Sequence, residues 1–130
     1  MKHLNKVFIE GRLARDLEVI YNREGIAIAK GTIGNTQARK AEAGWEESTN
    51  WIDFKAFGFL AQRFAESMQK GDLILLEGKL VQEKWQTKEG ENRSRLVVIA
   101  VDGKITAKVR KDVNENEEVE DDIEDDDVPF

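Results

Sequence analysis

From Asn50 to Leu60 the chain reads N-W-I-D-F-K-A-F-G-F-L. In an extended strand, alternate side chains point to opposite faces. Ile52, Phe54 and Ala56 then share one apolar face, and Trp51, Asp53, Lys55 and Phe57 share the other. Two charges mark the second face as wet, where a one-sided sheet shows polar residues. It nevertheless carries two large rings. Flat rings beside a lysine suit an unpaired nucleic acid strand, whose bases stack on the rings and whose phosphates meet the cation. Packing is the competing reading. Aromatic residues favour strands for packing alone, and a second element laid over this face would bury them.

Other chemistries lack their residues. His3 is the only histidine, so a histidine dyad or a cluster of histidine ligands is excluded. There is no cysteine, hence no disulfide framework and no thiolate zinc site. Gly71 and Gly78-Lys79 resemble a phosphate loop in composition only. Their spacing is wrong, Leu80 stands where Ser or Thr is needed, and the residues between them are strand-like. The carboxylates before residue 112 are scattered singly among bases, with no spacing that suggests a metal. The pattern is that of a binding protein, not an enzyme, with no cofactor and no metal.

Charge divides the chain in two. The formal net charge of the 130 residues is −6, but 11 of the 26 acids lie in residues 112–130, which contain no base. The remaining 15 acids face 20 bases, so residues 1–111 carry about +5. An acidic whole-chain balance therefore does not argue against a nucleic acid partner. It marks a basic body joined to an acidic interaction tail. Polar residues interrupt the apolar stretch from Met1 to Gly11, so it does not read as a signal peptide. No segment has the length of a membrane span. The expectation is a soluble, cytoplasmic protein without a membrane partner.

The elements that must position the rings follow from periodicity. Leu4 to Leu13 reads as a strand with a bend at Gly11. Tyr21 to Gly25 has turn chemistry, and Ile26 to Gly34 reads as a second strand. Asn35 to Thr49 is polar and aperiodic and is expected to be a long flexible loop, with Trp45 inside it. After the third strand, Leu60, Ala61, Phe64, Ala65 and Met68 form one helical stripe, ended by Gly71. The stripe reads as core packing. Leu73 to Trp85 is a long strand, Lys88 to Asn92 a hairpin turn, and Arg93 to Val101 the returning strand. Asp102-Gly103 reads as a further turn before a short strand at Lys104 to Val109. From Asp112 onward the composition predicts disorder. Three strands, a helix and two or three further strands, with glycines at the bends, fit an all-β, five-stranded oligonucleotide-binding (OB) barrel. The expected domains are a barrel at 1–109 and a disordered acidic tail at 110–130.

The residues also resemble the bacterial single-stranded DNA-binding protein family from end to end. The matching blocks are N-K-V-F-I-E-G-R-L-A-R-D at Asn5 to Asp16, W-x-x-x-x-x-F-G-x-L-A at Trp51 to Ala61, K-G-D-x-I-x-x-E-G-K-L at Lys70 to Leu80, and K-W-x-x-K-x-G at Lys84 to Gly90. The terminal D-D-D-V-P-F at Asp125 to Phe130 is the most specific block. The resemblance implies an OB fold assembled as a homotetramer that coats single-stranded DNA without reading its sequence. It implies stacking by Trp51, Phe57 and Trp85. Relatives carry an aromatic near Gln37 to Arg39, which is absent here, and Trp45 is the residue available to replace it. Phe59 stands where relatives often have lysine, and Asp53 where some have a base. The bases expected to meet phosphates are Lys55, Lys70, Lys84, Arg93 and Arg12.

The tail has its own logic. Asp112 to Glu124 reads as a solvated acidic spacer. Val128, Pro129 and Phe130, after Asp125, Asp126 and Asp127, are apolar residues that a spacer does not need. They suit a partner with a hydrophobic slot rimmed by bases. The resemblance implies that such partners are replication, recombination and repair proteins. Two other readings stay open at this stage: an RNA-binding or primosome-type OB protein, and an oligomerisation scaffold with buried tryptophans.

Overall fold

The computed structural model describes residues 2–109; the acidic segment 110–130, including the six-residue tip, lies outside the described residues. Strand β1 spans Val7–Leu13 and β2 Glu18–Tyr21. β3 spans Ala27–Ala41 and β4 Gly44–Phe57. Helix α1 follows at Gly58–Ser67, then β5 at Leu73–Gln86 and β6 at Asn92–Ala107.

The strands close into a ring. β1 pairs antiparallel with β5, β5 with β6, and β3 with β4, while β6 meets β4 in a short parallel contact at Phe54 and Val98. Arg12 and Leu13 of β1 then pair with Gly34 and Ile33 of β3, which closes the circuit. The short β2 pairs further along β3, Glu18 with Lys30 through Tyr21 with Ala27. β1 and β2 are thus two segments along one ring position. The result is a five-stranded OB barrel, with α1 after the third strand of the ring.

Alternation places the core. Phe54 and Ala56 of β4, Ala29 and Ile33 of β3, Ile74 and Leu76 of β5 and Val98 of β6 all point inward and are buried. Helix α1 adds Ala61, Phe64 and Met68 to this cluster, so the helical stripe is core, though Ala65 of that stripe is exposed. Phe64 meets Phe54 edge to face, with centroids 6.4 Å apart and planes at 68°, a geometry favoured by the ring quadrupoles. The helix ends sooner than its stripe suggests. Met68, not Gly71, is the capping residue, and its N–H donates to the Phe64 carbonyl at 2.8 Å.

Beside that cap sits Asp72, the one fully buried carboxylate among the described residues. It accepts from the backbone N–H groups of Gln69 and Val109 and from Lys108 Nζ, at 2.8–2.9 Å. Burial by itself raises its pKa. The two backbone donors and Lys108 outweigh that and hold it below the usual carboxylate value. Asp72 so ties the loop after α1 to the chain that leaves β6.

Two expectations are corrected. Asp102-Gly103 is no turn: β6 runs through it, with register shifts opposite Leu73/Ile74 and Glu77/Gly78. The glycine is needed for packing, since a Cβ there would lie 2.7 Å from the Phe64 ring. The polar stretch Asn35 to Thr49 is no flexible loop either. Its residues form the outer half of a hairpin, paired in unbroken register from Asn35–Asn50 to Ala41–Gly44. Both faces of this hairpin end are largely exposed, so no apolar alternation marks it in sequence. Backbone pairing, the Thr36–Thr49 hydroxyl contact and the Arg39–Glu46 ion pair hold it. The other turns fall where expected, at Asn22 to Ile26 and Thr87 to Glu91.

Candidate nucleic-acid interface

The outward face of β4 carries a line of rings. Trp51, Asp53, Lys55 and Phe57 point away from the core, as the alternation requires, while Phe54 and Ala56 are buried. Because β4 continues outward to Gly44, the same parity puts Trp45 on this face too. Trp45, Trp51 and Phe57 are spaced six residues apart on one strand, so neighbouring rings are about 20 Å apart. They are 73%, 66% and 43% exposed, respectively. Sequence reasoning named Trp45 but lacked the strand that aligns it. The only local signal was its even spacing from Trp51 and Phe57.

The neighbouring strand shapes the seat of the central ring. Gly34 is the direct partner of Trp51 in the ladder. A Cβ at Gly34 would lie 2.8 Å from Cζ3 of the indole, so the ring lies across a position where only glycine leaves room. Arg12 is in the same row, paired with Gly34 from β1. Its guanidinium donates to the Gly71 carbonyl at 3.0 Å.

The β5–β6 hairpin brings in the fourth ring. Its outer part, Val81 to Gln86 against Asn92 to Val97, projects as an arm beyond the barrel. Glu83, Trp85, Arg93 and Arg95 share one face of that arm. Arg95 Nη1 pairs with Asp53 at 3.0 Å and Lys55 Nζ pairs with Glu83 at 2.5 Å. Arg95 also reaches Glu83 at 3.3 Å and lies 5.9 Å from the centroid of the Trp85 ring. The arm face that carries Trp85 is thereby latched to the face that carries Trp51 and Phe57. The hydrogen bond from Lys55, more than anything else, holds the Glu83 carboxyl below the usual range against the opposing effect of burial, and Arg95 adds to it. Trp85 remains 48% exposed.

The expected phosphate contacts are not brought together equally. Lys55 is engaged with Glu83, and Arg93 with Glu91 at 2.6 Å. Lys84, opposite Ser94, lies on the arm face away from Trp85. Lys70 is exposed, and its backbone N–H donates to Asp16 at 2.8 Å. Asp125 to Phe130 lie outside the described residues. Among the described residues no three of His, Cys, Asp and Glu are grouped to hold a metal, and no helix is long and apolar enough to cross a membrane.

A closed OB ring with exposed aromatic side chains on one outer face defines the class of the molecule, an oligonucleotide-binding barrel. Comparison with known proteins narrows the class. The model of the Single-strand binding protein family matches residues 4–120, and the chain belongs to that family. It is 40% identical over 98 residues to the single-stranded DNA-binding protein of Aquifex aeolicus, covering 75% of this chain and 66% of that protein. The protein of the same description from Helicobacter hepaticus is 38% identical over 97 residues, 74% of this chain and 57% of that one. These matches therefore span about three fifths of the relatives' length. A crystal structure of a deletion mutant of the single-stranded DNA binding protein from Thermus aquaticus superimposes with a TM-score of 0.69. It is 28% identical, covering 78% of this chain and 50% of that chain.

Proposed function

We propose that this chain binds single-stranded DNA without sequence preference, by stacking bases on Trp51, Phe57, Trp85 and Trp45. The observation that carries the reading is the line of exposed rings on β4, extended by the latched Trp85 arm. Every base has a π-face, so such a line holds a strand without reading it, at about 1–3 kcal/mol for each stacked base. A duplex hides those faces within its own stack, which supplies the preference for single strands. Cations around the platform meet phosphates, so affinity falls as salt rises. The test is tryptophan fluorescence during titration with a homopyrimidine DNA oligonucleotide at two salt concentrations. Quenching that weakens with salt is expected, and an unchanged signal would refute the reading. Competition with the matched RNA decides between DNA and RNA as the ligand.

Two further features belong to the same reading. The chain assembles as a homotetramer: Phe8, Leu96 and Val101 are more than half exposed on β1 and β6 of a single copy, surface that association would cover. A monomer mass by light scattering at micromolar concentration would exclude this. The segment Asp125 to Phe130 recruits replication, recombination and repair proteins, with Phe130 as the apolar anchor and Asp125, Asp126 and Asp127 facing the partner's bases. Phe130→Ala should lose those partners in a pull-down while DNA affinity stays at the wild-type value.

A further inference from the structure

A cleft of about 220 Å³ opens between the chain after β1, the outer faces of β3 and β4, and the β5–β6 arm. Four bases line it: Arg15, Lys30, Lys55 and Arg95. Two of them are already engaged. Lys55 is held by Glu83 at 2.5 Å in a pair whose side chains are only 19% and 26% exposed. Arg95 is held by Asp53 and Glu83. Moving Lys55 onto a phosphate would leave the partly buried Glu83 with only its longer contact to Arg95, and moving Arg95 would leave Asp53 without a base, so either exchange gives up pairing that Arg15 and Lys30 do not have. Arg15 and Lys30 make no ion pair and no side-chain hydrogen bond among the described residues. Lys30 stands directly across the ladder from Lys55, with the row of Thr32 and Asp53 between it and the row that carries Trp51. The carboxylates in the cleft bear on the same question. Asp53 accepts from Thr32 and pairs with Arg95, and Asp16 accepts the Lys70 backbone N–H. Glu18 faces Lys30 from β2 without forming an ion pair.

We infer that Arg15 and Lys30 are the bases that hold backbone phosphates of the strand stacked on Trp51, and that Lys55 and Arg95 serve the latch instead. The inference rests on the single-stranded DNA reading and names the phosphate site within it. The sequence reading expects Lys55 to meet phosphate and does not single out Arg15 or Lys30. Only the pairing distances separate free from occupied.

The experiment is a titration of the full chain with a dT oligonucleotide across a range of salt concentrations, read by tryptophan quenching. Arg15→Gln and Lys30→Gln should each weaken binding several-fold at low salt. Each should also reduce the slope of log affinity against log salt by about 0.7, the value for one phosphate contact on a single strand. Lys30→Met keeps the half-buried stem and should give the same slope change, and circular dichroism checks that each variant is folded. The charge-neutral pair Lys55→Gln with Glu83→Gln should keep the wild-type slope, whatever it does to affinity. Folded Arg15→Gln and Lys30→Met variants with wild-type slopes would overturn the assignment while the wild type still binds. A slope lowered by the Lys55–Glu83 double variant would overturn it too. Failure of the wild type to respond to dT at all would instead remove the reading on which it rests.

Discussion

The molecule extends two hairpin arms, and they are held in different ways. The β5–β6 arm is fastened to the barrel by Lys55–Glu83 and Arg95–Asp53, contacts that join residues 28 and 42 positions apart. The outer end of β3–β4 is tied to the barrel only at its base, where Asn35 Nδ2 donates to the Glu10 carbonyl at 2.8 Å; beyond that its side-chain contacts among the described residues stay within the hairpin, Gln37 with Asn35, Thr36 with Thr49 and Arg39 with Glu46. Both arms present a tryptophan. Trp85 is thus offered from a fixed position, and Trp45 from a ribbon wet on both faces. Preorganisation matters because a ring that must first be ordered returns part of its stacking energy as lost entropy. Trp45 is the more exposed of the two rings, 73% against 48% for Trp85, yet greater exposure need not mean a greater contribution to binding.

Substitutions test that contrast directly. The largest effect is expected at Trp51, seated over Gly34 between the two arms. Trp51→Ala should weaken DNA binding by about 1–3 kcal/mol, which is roughly 5- to 150-fold, with the barrel still folded by circular dichroism. Trp85→Ala should follow with a loss in the lower half of that range, measured in the same titration. Trp45→Ala should lose less than Trp85→Ala; an equal loss would show that the unlatched arm is as well ordered as the latched one. Arg95→Ala should have a smaller effect on affinity, since partly exposed ion pairs contribute about 0.2–1 kcal/mol each. Its clearest signature is faster amide hydrogen exchange in the Thr87 to Arg93 turn, with no change near Lys40 to Trp45.

The smallest effect expected is that of acid on the latch. The Glu83 carboxyl is held below its ordinary pKa by Lys55. A depressed carboxylate contributes its stabilisation above the unfolded-state value and loses it as pH falls through the folded-state value. The β5–β6 arm should therefore stay latched at neutral pH and loosen only below about pH 4, the ordinary carboxylate range. Asp72, also depressed, belongs to the same acid window but acts on the barrel. Asp72→Asn should lower thermal stability at neutral pH and flatten its decline in acid.

Elements with one covered face were legible in the sequence. Ile52, Phe54 and Ala56 against Trp51, Asp53, Lys55 and Phe57 is a legible alternation because the barrel core lies on one side and water on the other. The α1 stripe of Ala61, Phe64 and Met68 is legible for the same reason, and the turn at Gly25 because its φ of +82° favours glycine. The rest depends on contacts between residues far apart in the chain. Asn35 to Thr49 shows no period because neither face of that hairpin end is covered, and backbone pairing does not depend on side-chain type. The place of Trp45 in the line of rings therefore emerged only with the strand. Gly103 looked like a turn because glycine serves turns and close packing alike, and only the nearby Phe64 ring distinguishes the two uses. The division of bases into Lys55 and Arg95, occupied, and Arg15 and Lys30, free among the described residues, depends on partners brought together by closure of the barrel. Charge is written in the sequence, but its neutralisation depends on distance, and distance between remote residues is fixed by the fold.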